Sequence, residues 1–192
     1  MSKKVSPIPR GYRTAMPCLT VYDVNAAVAF YQAAFGAELV SSHTGADESI
    51  SVHATIKIGN SLIAINQEAI ELGLLSPFSS GVSAGQVHLY VEDVDTSWNR
   101  AVEAGAVVRT PLFDAYWGDR TGVLADPNGQ LWSIASKVEN VSKEEMQRRS
   151  RAALTGVSEE VENEAVSDEL VDFADAPFYA ETPVVAEETV TA

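Results

Sequence analysis

The sequence predicts an α+β protein built from two tandem βαβββ modules, and three observations lead there. The stretch from Gln86 to Val91 alternates strictly, with Val87, Leu89 and Val91 on one side and Gln86, His88 and Tyr90 on the other. That period of two is the signature of a strand with one buried face. Helix signals follow at once. Asp93 and Asp95 stand where a carboxylate accepts the free N–H groups of a first turn, Ala101 and Val102 follow Trp98 at spacings of three and four, and Gly105 supplies the stop. The third observation is a copy of this unit. Leu19, Val21, Asp23 and Val24 precede Leu89, Val91, Asp93 and Val94 at a constant offset of 70, and a helix with Val28, Tyr31 and Phe35 follows, stopped by Gly36.

In chain order, residues 1–14 read as an extended arm containing Pro7, Pro9 and Gly11. The first module spans 15–66. Its strand Ala15 to Val21 turns Leu19 and Val21 to the core and Met16, Cys18 and Thr20 the other way; its helix runs from about Asn25 to Phe35. A second strand covers Leu39 to Ser42, and a polar loop runs from Thr44 to Glu48. Ser51 to Ile58 alternates again, with Ala54, Ile56 and Ile58 facing one way and His53, Thr55 and Lys57 the other. Gly59-Asn60 is a two-residue hairpin signal. Ser61 to Asn66 then directs Ile63 and Ile65 inward. Residues 67–84, rich in Gly and Ser, connect the modules.

The second module, 85–137, repeats the plan. After its opening strand and helix come a strand at Val107–Arg109, a loop from Pro111 to Asp119 carrying Phe113, Tyr116 and Trp117, and a strand from Thr121 to Ala125. Asp126-Pro127-Asn128-Gly129 is a tight turn, and Gln130 to Ala135 is the last strand, with Trp132 pointing to the core. Ser142 with Glu145 three residues on forms a capping box that opens a C-terminal helix, within 138–155. Residues 156–192 read as a mostly disordered acidic tail, with an apolar strip at Leu170, Val171, Phe173, Phe178 and Tyr179.

Charge and composition exclude several functions. The net charge is −14, but 11 acidic residues and no Lys or Arg fall in 156–192, so the rest carries only −3. No basic stripe is present, which argues against nucleic-acid binding. One cysteine, Cys18, excludes an internal disulfide framework and a CxxC zinc site, and fits a reducing cytoplasm. No apolar run approaches a membrane span or a signal peptide.

Beyond these local readings, the chain resembles the vicinal oxygen chelate superfamily of glyoxalases, bleomycin-resistance proteins, fosfomycin-modifying enzymes and extradiol dioxygenases. It is most similar to small glyoxalase-like proteins of the phosphonate-operon type. The resemblance rests on PIPRGYRTAMPCLTVYDV at 7–24, FYQAAFGAE at 30–38, HATIKIGNS at 53–61, HLYVEDVD at 88–95, WGDRTGVLADPNGQLW at 117–132 and VENVSKEEMQRR at 138–149. It implies that each sheet curls into a half-cup and that paired modules enclose a cleft, in a homodimer that binds a small molecule.

The helices cover one face of each sheet, so alternation assigns Met16, Cys18, Thr20, Leu62, Ala64, Asn66, Gln86, His88, Tyr90 and Ser133 to the cleft. Trp117 and Arg120 of the aromatic loop join them, although Arg120 can instead pair with Asp119 to fix that loop. Metal-using relatives place His and Glu ligands at positions that correspond to Met16, Ala64, Gln86 and Ser133. None of these is His, Asp or Glu, so the expectation is no metal and no cofactor. The alternative is a divalent metal held by relocated ligands, in a lyase, isomerase or dioxygenase type of enzyme. His53 and His88 are the candidate catalytic pair, as acid–base groups or as displaced ligands. Lys57 and Tyr90 are candidate cation and hydroxyl donor for an anionic substrate, and Cys18 reads as a buried, inert thiol.

Overall fold

A computed structural model describes residues 5–46 and 50–163, with side chains to 153. The described residues divide into two units, one up to 151 and the other from 152 on. The first module contributes β1 (Cys18–Val21), α1 (Val24–Phe35), β2 (Glu38–Thr44), β3 (Ser51–Ile58) and β4 (Ser61–Gln67). A 3-10 turn (Ile70–Leu72) and a short helix α2 (Pro77–Ser80) cross to the second module. That module contributes β5 (Gln86–Tyr90), α3 (Val94–Glu103), β6 (Val107–Asp114), β7 (Asp119–Ala125) and β8 (Leu131–Lys137), and α4 (Lys143–Asn163) follows. The sheets have orders β1-β4-β3-β2 and β5-β8-β7-β6, so the internal repeat is a repeat of topology. In each, the first strand lies parallel to the fourth and the other pairs are antiparallel.

Both helices begin on the repeated aspartate. Asp23 Oδ1 accepts from the Ala26 amide at 2.9 Å, and Asp93 Oδ1 accepts from the Thr96 amide at 3.0 Å. Gly36 closes α1 at φ 65°, in the left-handed region that Gly enters without a Cβ penalty. The two helices pack together and share one core with the inner sheet faces. Val21, Ile56, Ile65, Leu124 and Ile134 are fully buried there, each contributing about 1.5–3 kcal/mol by leaving water. At the centre, Trp132 of β8 meets Phe35 and Tyr31 of α1, ring centroids 4.6 and 5.1 Å away. Gly122 of β7 lets α3 approach: a Cβ there would lie 2.6 Å from the Trp98 ring.

A buried carboxylate clasps the modules. Asp126 Oδ2 accepts from Tyr31 Oη at 2.7 Å and Trp132 Nε1 at 3.1 Å, while Oδ1 accepts from the amides of Asn128 and Gln130. Arg100 Nε of α3 adds a bond to the Ala34 carbonyl of α1 at 2.7 Å.

Several elements depart from the sequence expectation. Strand β1 starts at Cys18, leaving Met16 ahead of the ladder, because Pro17 has no N–H to offer. Strand β2 continues through His43 to Thr44. Strand β6 runs on through Pro111 to Asp114, and β7 starts at Asp119, so the expected loop shrinks to four residues. An edge strand tolerates Pro because its outer amides need no partner. Val102 is exposed on α3. The Ser142 hydroxyl caps α4 as expected, accepting from Glu145 N at 3.2 Å, but the helix extends to Asn163, into the stretch read as tail. The apolar strip from Leu170 to Tyr179 lies outside the described residues.

Candidate functional site

Each sheet turns one face to the helices and leaves the other free of them, and register decides which side chains meet on the free face. In the first sheet, Thr20, Asn66, His53 and His43 form one cross-strand row through β1, β4, β3 and β2. Cys18 and Ala64 stand opposite each other in the next row, with Thr55 beyond. His53 Nδ1 lies 2.6 Å from Asn66 Oδ1, and Asn66 Nδ2 points at Cys18 Sγ, 2.9 Å away. The rings of His43 and His53 are 5.5 Å apart. Cys18 is therefore neither buried nor isolated: it is exposed and sits beside a polar row. It also lines a cavity of about 460 Å³ with Thr20, Gln86, Leu75 and Val82, between the edge strands β1 and β5.

In the second sheet the small residues Ser133, Thr121 and Ala135 form a buried floor. His88 and Tyr90 stand beside it, both exposed on β5, with Gln86 in line. His88 Nδ1 lies 2.9 Å from Ser133 Oγ, and the His88 and Tyr90 rings meet edge to face at 4.7 Å. A cavity of about 540 Å³ that His88 and Tyr90 border lies mainly on the helix-facing side of the strand, against Val87, Leu89, Phe35, Ile63 and Trp132 and beside Arg100 of α3.

Tyr90 is anchored from behind by Asp119, which is 1% exposed. The Tyr90 hydroxyl donates to Asp119 Oδ2 at 2.8 Å and the Trp117 indole N–H donates to the same oxygen at 2.9 Å. Oδ1 has no aligned hydrogen-bond donor and is neutralised by the Lys137 ammonium 3.1 Å away. Burial alone would raise the Asp119 pKa, but the Tyr90 bond, the nearby Lys137 ammonium and the Trp117 bond outweigh it and hold the carboxyl below its ordinary range. The same bond, with burial, raises the Tyr90 hydroxyl above its ordinary value.

The structure relocates some expected cleft residues. Arg120 is on the opposite side of β7 from Asp119, since adjacent strand residues face opposite ways. It grips Asp95 at the start of α3 through Nε and Nη2, and Asp114 through Nη1, so it neither lines the free face nor pairs with Asp119. Trp117 reaches the site only through its N–H; its ring and Tyr116 line a cavity of about 590 Å³ with Met146 and Gln147 of α4. Met16 borders a small cavity with Arg13, Asn60 and Leu62. Lys57 pairs with Glu38 at 3.4 Å. His53 and His88 lie on different sheets, each hydrogen-bonded within its own. Leu62, Ala64, Asn66, Gln86 and Ser133 fall on the free faces with Cys18, Thr20, His88 and Tyr90.

The polar residues His43, Asp119, Thr121 and Lys137 and the small Ala135 of these faces escaped the sequence reading, and the site rests most on His43, Asp119 and Lys137. Continued alternation past Ser42, and starting β7 two residues earlier, would have placed the first two. Lys137 follows from β8 running past Ala135.

The four positions that the family resemblance assigns to metal ligands, Met16, Ala64, Gln86 and Ser133, carry a thioether, a methyl, an amide and a hydroxyl, and that hydroxyl already lies 2.9 Å from His88 Nδ1. Such a set does not fit a divalent ion, which needs three or four converging donors of stronger type. Among the described residues, no three His, Cys, Asp or Glu side chains converge on one point.

Two βαβββ modules around a common helix layer, with polar free faces, define the class of protein. The chain belongs to the glyoxalase/bleomycin resistance protein/dioxygenase superfamily, whose sequence pattern matches residues 13–134. An uncharacterized protein of Mycobacterium bovis, Mb0911c, is 37% identical over 134 residues, covering 68% of this chain and 88% of its own. Among solved structures, TioX from Micromonospora sp. ML1 is 25% identical, with a TM-score of 0.51 over 65% of this chain and 99% of that one. The fosfomycin resistance protein FosX from Listeria monocytogenes, solved with Mn(II) and sulfate, shares the fold at 21% identity and a TM-score of 0.51, over 69% and 95% of the two chains. Among the described residues no helix is long and apolar enough to cross a membrane.

Proposed function

We propose that the chain is a cytoplasmic, homodimeric protein that binds a small organic molecule on the free face of its second sheet, without the metal of its metal-using relatives. The observation that carries this reading is the row Gln86, His88 and Tyr90, exposed along β5, with His88 and Tyr90 held by Ser133 and Asp119. Side chains already locked by hydrogen bonds bind with little further loss of entropy, which is what a binding site needs. The donor set at Met16, Ala64, Gln86 and Ser133 supports the metal-free part. Dimerisation is supported by apolar side chains left open on the outer strands: Leu39 and Val40 on β2, Val107, Val108 and Phe113 on β6.

The test is a thermal-shift screen of planar metabolites and antibiotics against the full-length chain, repeated after chelation, with sedimentation measured in parallel. Stabilisation that survives chelation supports the reading, and a dimer in sedimentation supports its assembly. Stoichiometric metal that leaves on His88→Ala would overturn it.

A further inference from the structure

The hydrogen bonds behind the β5 row have a direction, and the direction decides what they leave exposed. A carboxylate only accepts, and Asp119 is held in its ionised form by Tyr90, Lys137 and Trp117. The proton of the Tyr90 hydroxyl therefore points inward, to Asp119 Oδ2 at 2.8 Å. What the hydroxyl offers to the open side is its lone pairs.

The chain behind His88 ends in the same way. Thr121 Oγ1 donates its one proton to the Ile134 carbonyl at 2.9 Å. Toward Ser133 Oγ, 3.5 Å away, it can then only accept, which leaves the Ser133 proton two acceptors, Thr121 Oγ1 and His88 Nδ1. With the Ser133 proton on Thr121, Ser133 Oγ accepts from His88 Nδ1, 2.9 Å away. A neutral imidazole with its proton on Nδ1 carries a lone pair on Nε2. In that arrangement two relays, one ending at a carboxylate and the other at a backbone carbonyl, leave two acceptors side by side on one strand, with ring centroids 4.7 Å apart.

We infer that this face selects a small planar aromatic ligand bearing hydrogen-bond donors, such as an aromatic amidine or amine, and rejects an aromatic carboxylate. An N–H group satisfies the outward lone pairs, whereas a carboxylate places acceptor against acceptor. The half-exposed Tyr90 ring, 60% accessible, offers a π face to a cationic donor as well. The cation expected for an anionic substrate is engaged elsewhere: Lys57 pairs with Glu38, and Lys137 is taken by Asp119 and the Trp117 carbonyl. The inference rests on the reading of this face as the binding site and adds the chemistry of what binds.

Two measurements test it, both on the full-length chain. The first needs no ligand. Long-range ¹⁵N–¹H NMR of the imidazoles at about pH 8, where an ordinary imidazole is neutral, is expected to show His88 with its proton on Nδ1. A proton on Nε2 overturns the inference. The second compares benzamidine with benzoate, two probes of the same shape, by titrating the Tyr90 and His88 ring resonances. Benzamidine is expected to shift both and to bind about tenfold more tightly than benzoate, the effect of one good hydrogen bond. Tyr90→Phe should reduce that preference without unfolding the protein, since the ring stays in place. Benzoate binding as tightly as benzamidine, or no shift by benzamidine at either ring, overturns the ligand class. The wider binding function fails only when no compound of the broader screen binds.

Discussion

Replacing Asp126 with Asn should cost the fold more than any other single-atom exchange in its polar groups. The carboxylate is 1% exposed and collects four donors from three places: Tyr31 of α1, Trp132 of β8, and two amides of its own turn. An amide in its place keeps one oxygen. If that oxygen faces the turn amides, the new NH₂ faces Tyr31 and Trp132. Tyr31 can rotate to accept, but the indole N–H only donates and is left orphaned in the core. An orphaned buried donor costs about 1–3 kcal/mol, and exchanging charge-assisted for neutral bonds adds roughly 1 kcal/mol. Escaping the cost of burying a charge offsets part of this, so the net is about 2–3 kcal/mol. At about 2–4 °C per kcal/mol for a chain of this size, Tm should fall by roughly 5–10 °C. Urea denaturation with the same m-value and a lower midpoint is the assay. Tyr31→Phe should show about half the effect. The pH dependence follows from burial, which raises the Asp126 pKa above its ordinary value against the pull of its hydrogen bonds. Between those two values the folded state binds more protons than the unfolded, so this group's contribution declines as pH rises through the window, and Asp126→Asn should lack that slope. A variant within 1–2 °C of the parent would refute the clasp.

Other consequences can be checked in the same assays. Gly122→Ala drives a methyl into the Trp98 ring and to 2.9 Å from the Thr110 carbonyl, and should destabilise by roughly 1–3 kcal/mol; an unchanged urea midpoint would contradict the close packing of α3 on β7. Asp119, with a folded pKa held low, contributes stability that is fully present above about pH 4 and lost as pH falls through its lower folded value. The parent should therefore lose stability in acid more steeply than Asp119→Asn, and parallel acid curves would count against the Tyr90–Asp119–Lys137 cluster. Arg100→Met removes the bond from α3 to the Ala34 carbonyl and should cost about 1 kcal/mol, read as a small fall in urea midpoint with no change in m-value; an unshifted midpoint would argue that the two helices are held by apolar packing alone.

Much of this architecture is written in local pattern. Alternation at 51–58 and 86–91, the repeated Asp at the helix starts and the Gly at position 36 are short-range signals, so they locate strands, faces and caps without knowledge of the rest of the chain, whereas α3 is capped by Ala104, one residue before the expected Gly105. The same parity correctly sends Trp132 to the core and Ser133 to the free face. What pattern does not contain is register. Nothing in the sequence says that His43 stands opposite His53, or that Cys18 rather than Met16 faces Ala64. Parity also fails wherever a strand's first residue is misplaced: beginning β7 at Thr121 instead of Asp119 hid the carboxylate that orients Tyr90, and treating 117–120 as one loop put Arg120 on the wrong face. Edge strands are weakly specified because both faces are exposed, which is why β6 runs past Pro111 although its sequence reads as a loop.

The central claim is that the face carrying His88 and Tyr90 binds a small molecule without a metal. Titration calorimetry of chelator-treated, full-length protein with the best compound from the screen, repeated with Tyr90→Ala and with added Mn, Ni or Zn, tests it most directly. The account predicts binding by the metal-free protein, unchanged by added metal and weakened about tenfold or more by the substitution. Binding that appears only when metal is restored, or that is indifferent to Tyr90, would contradict it.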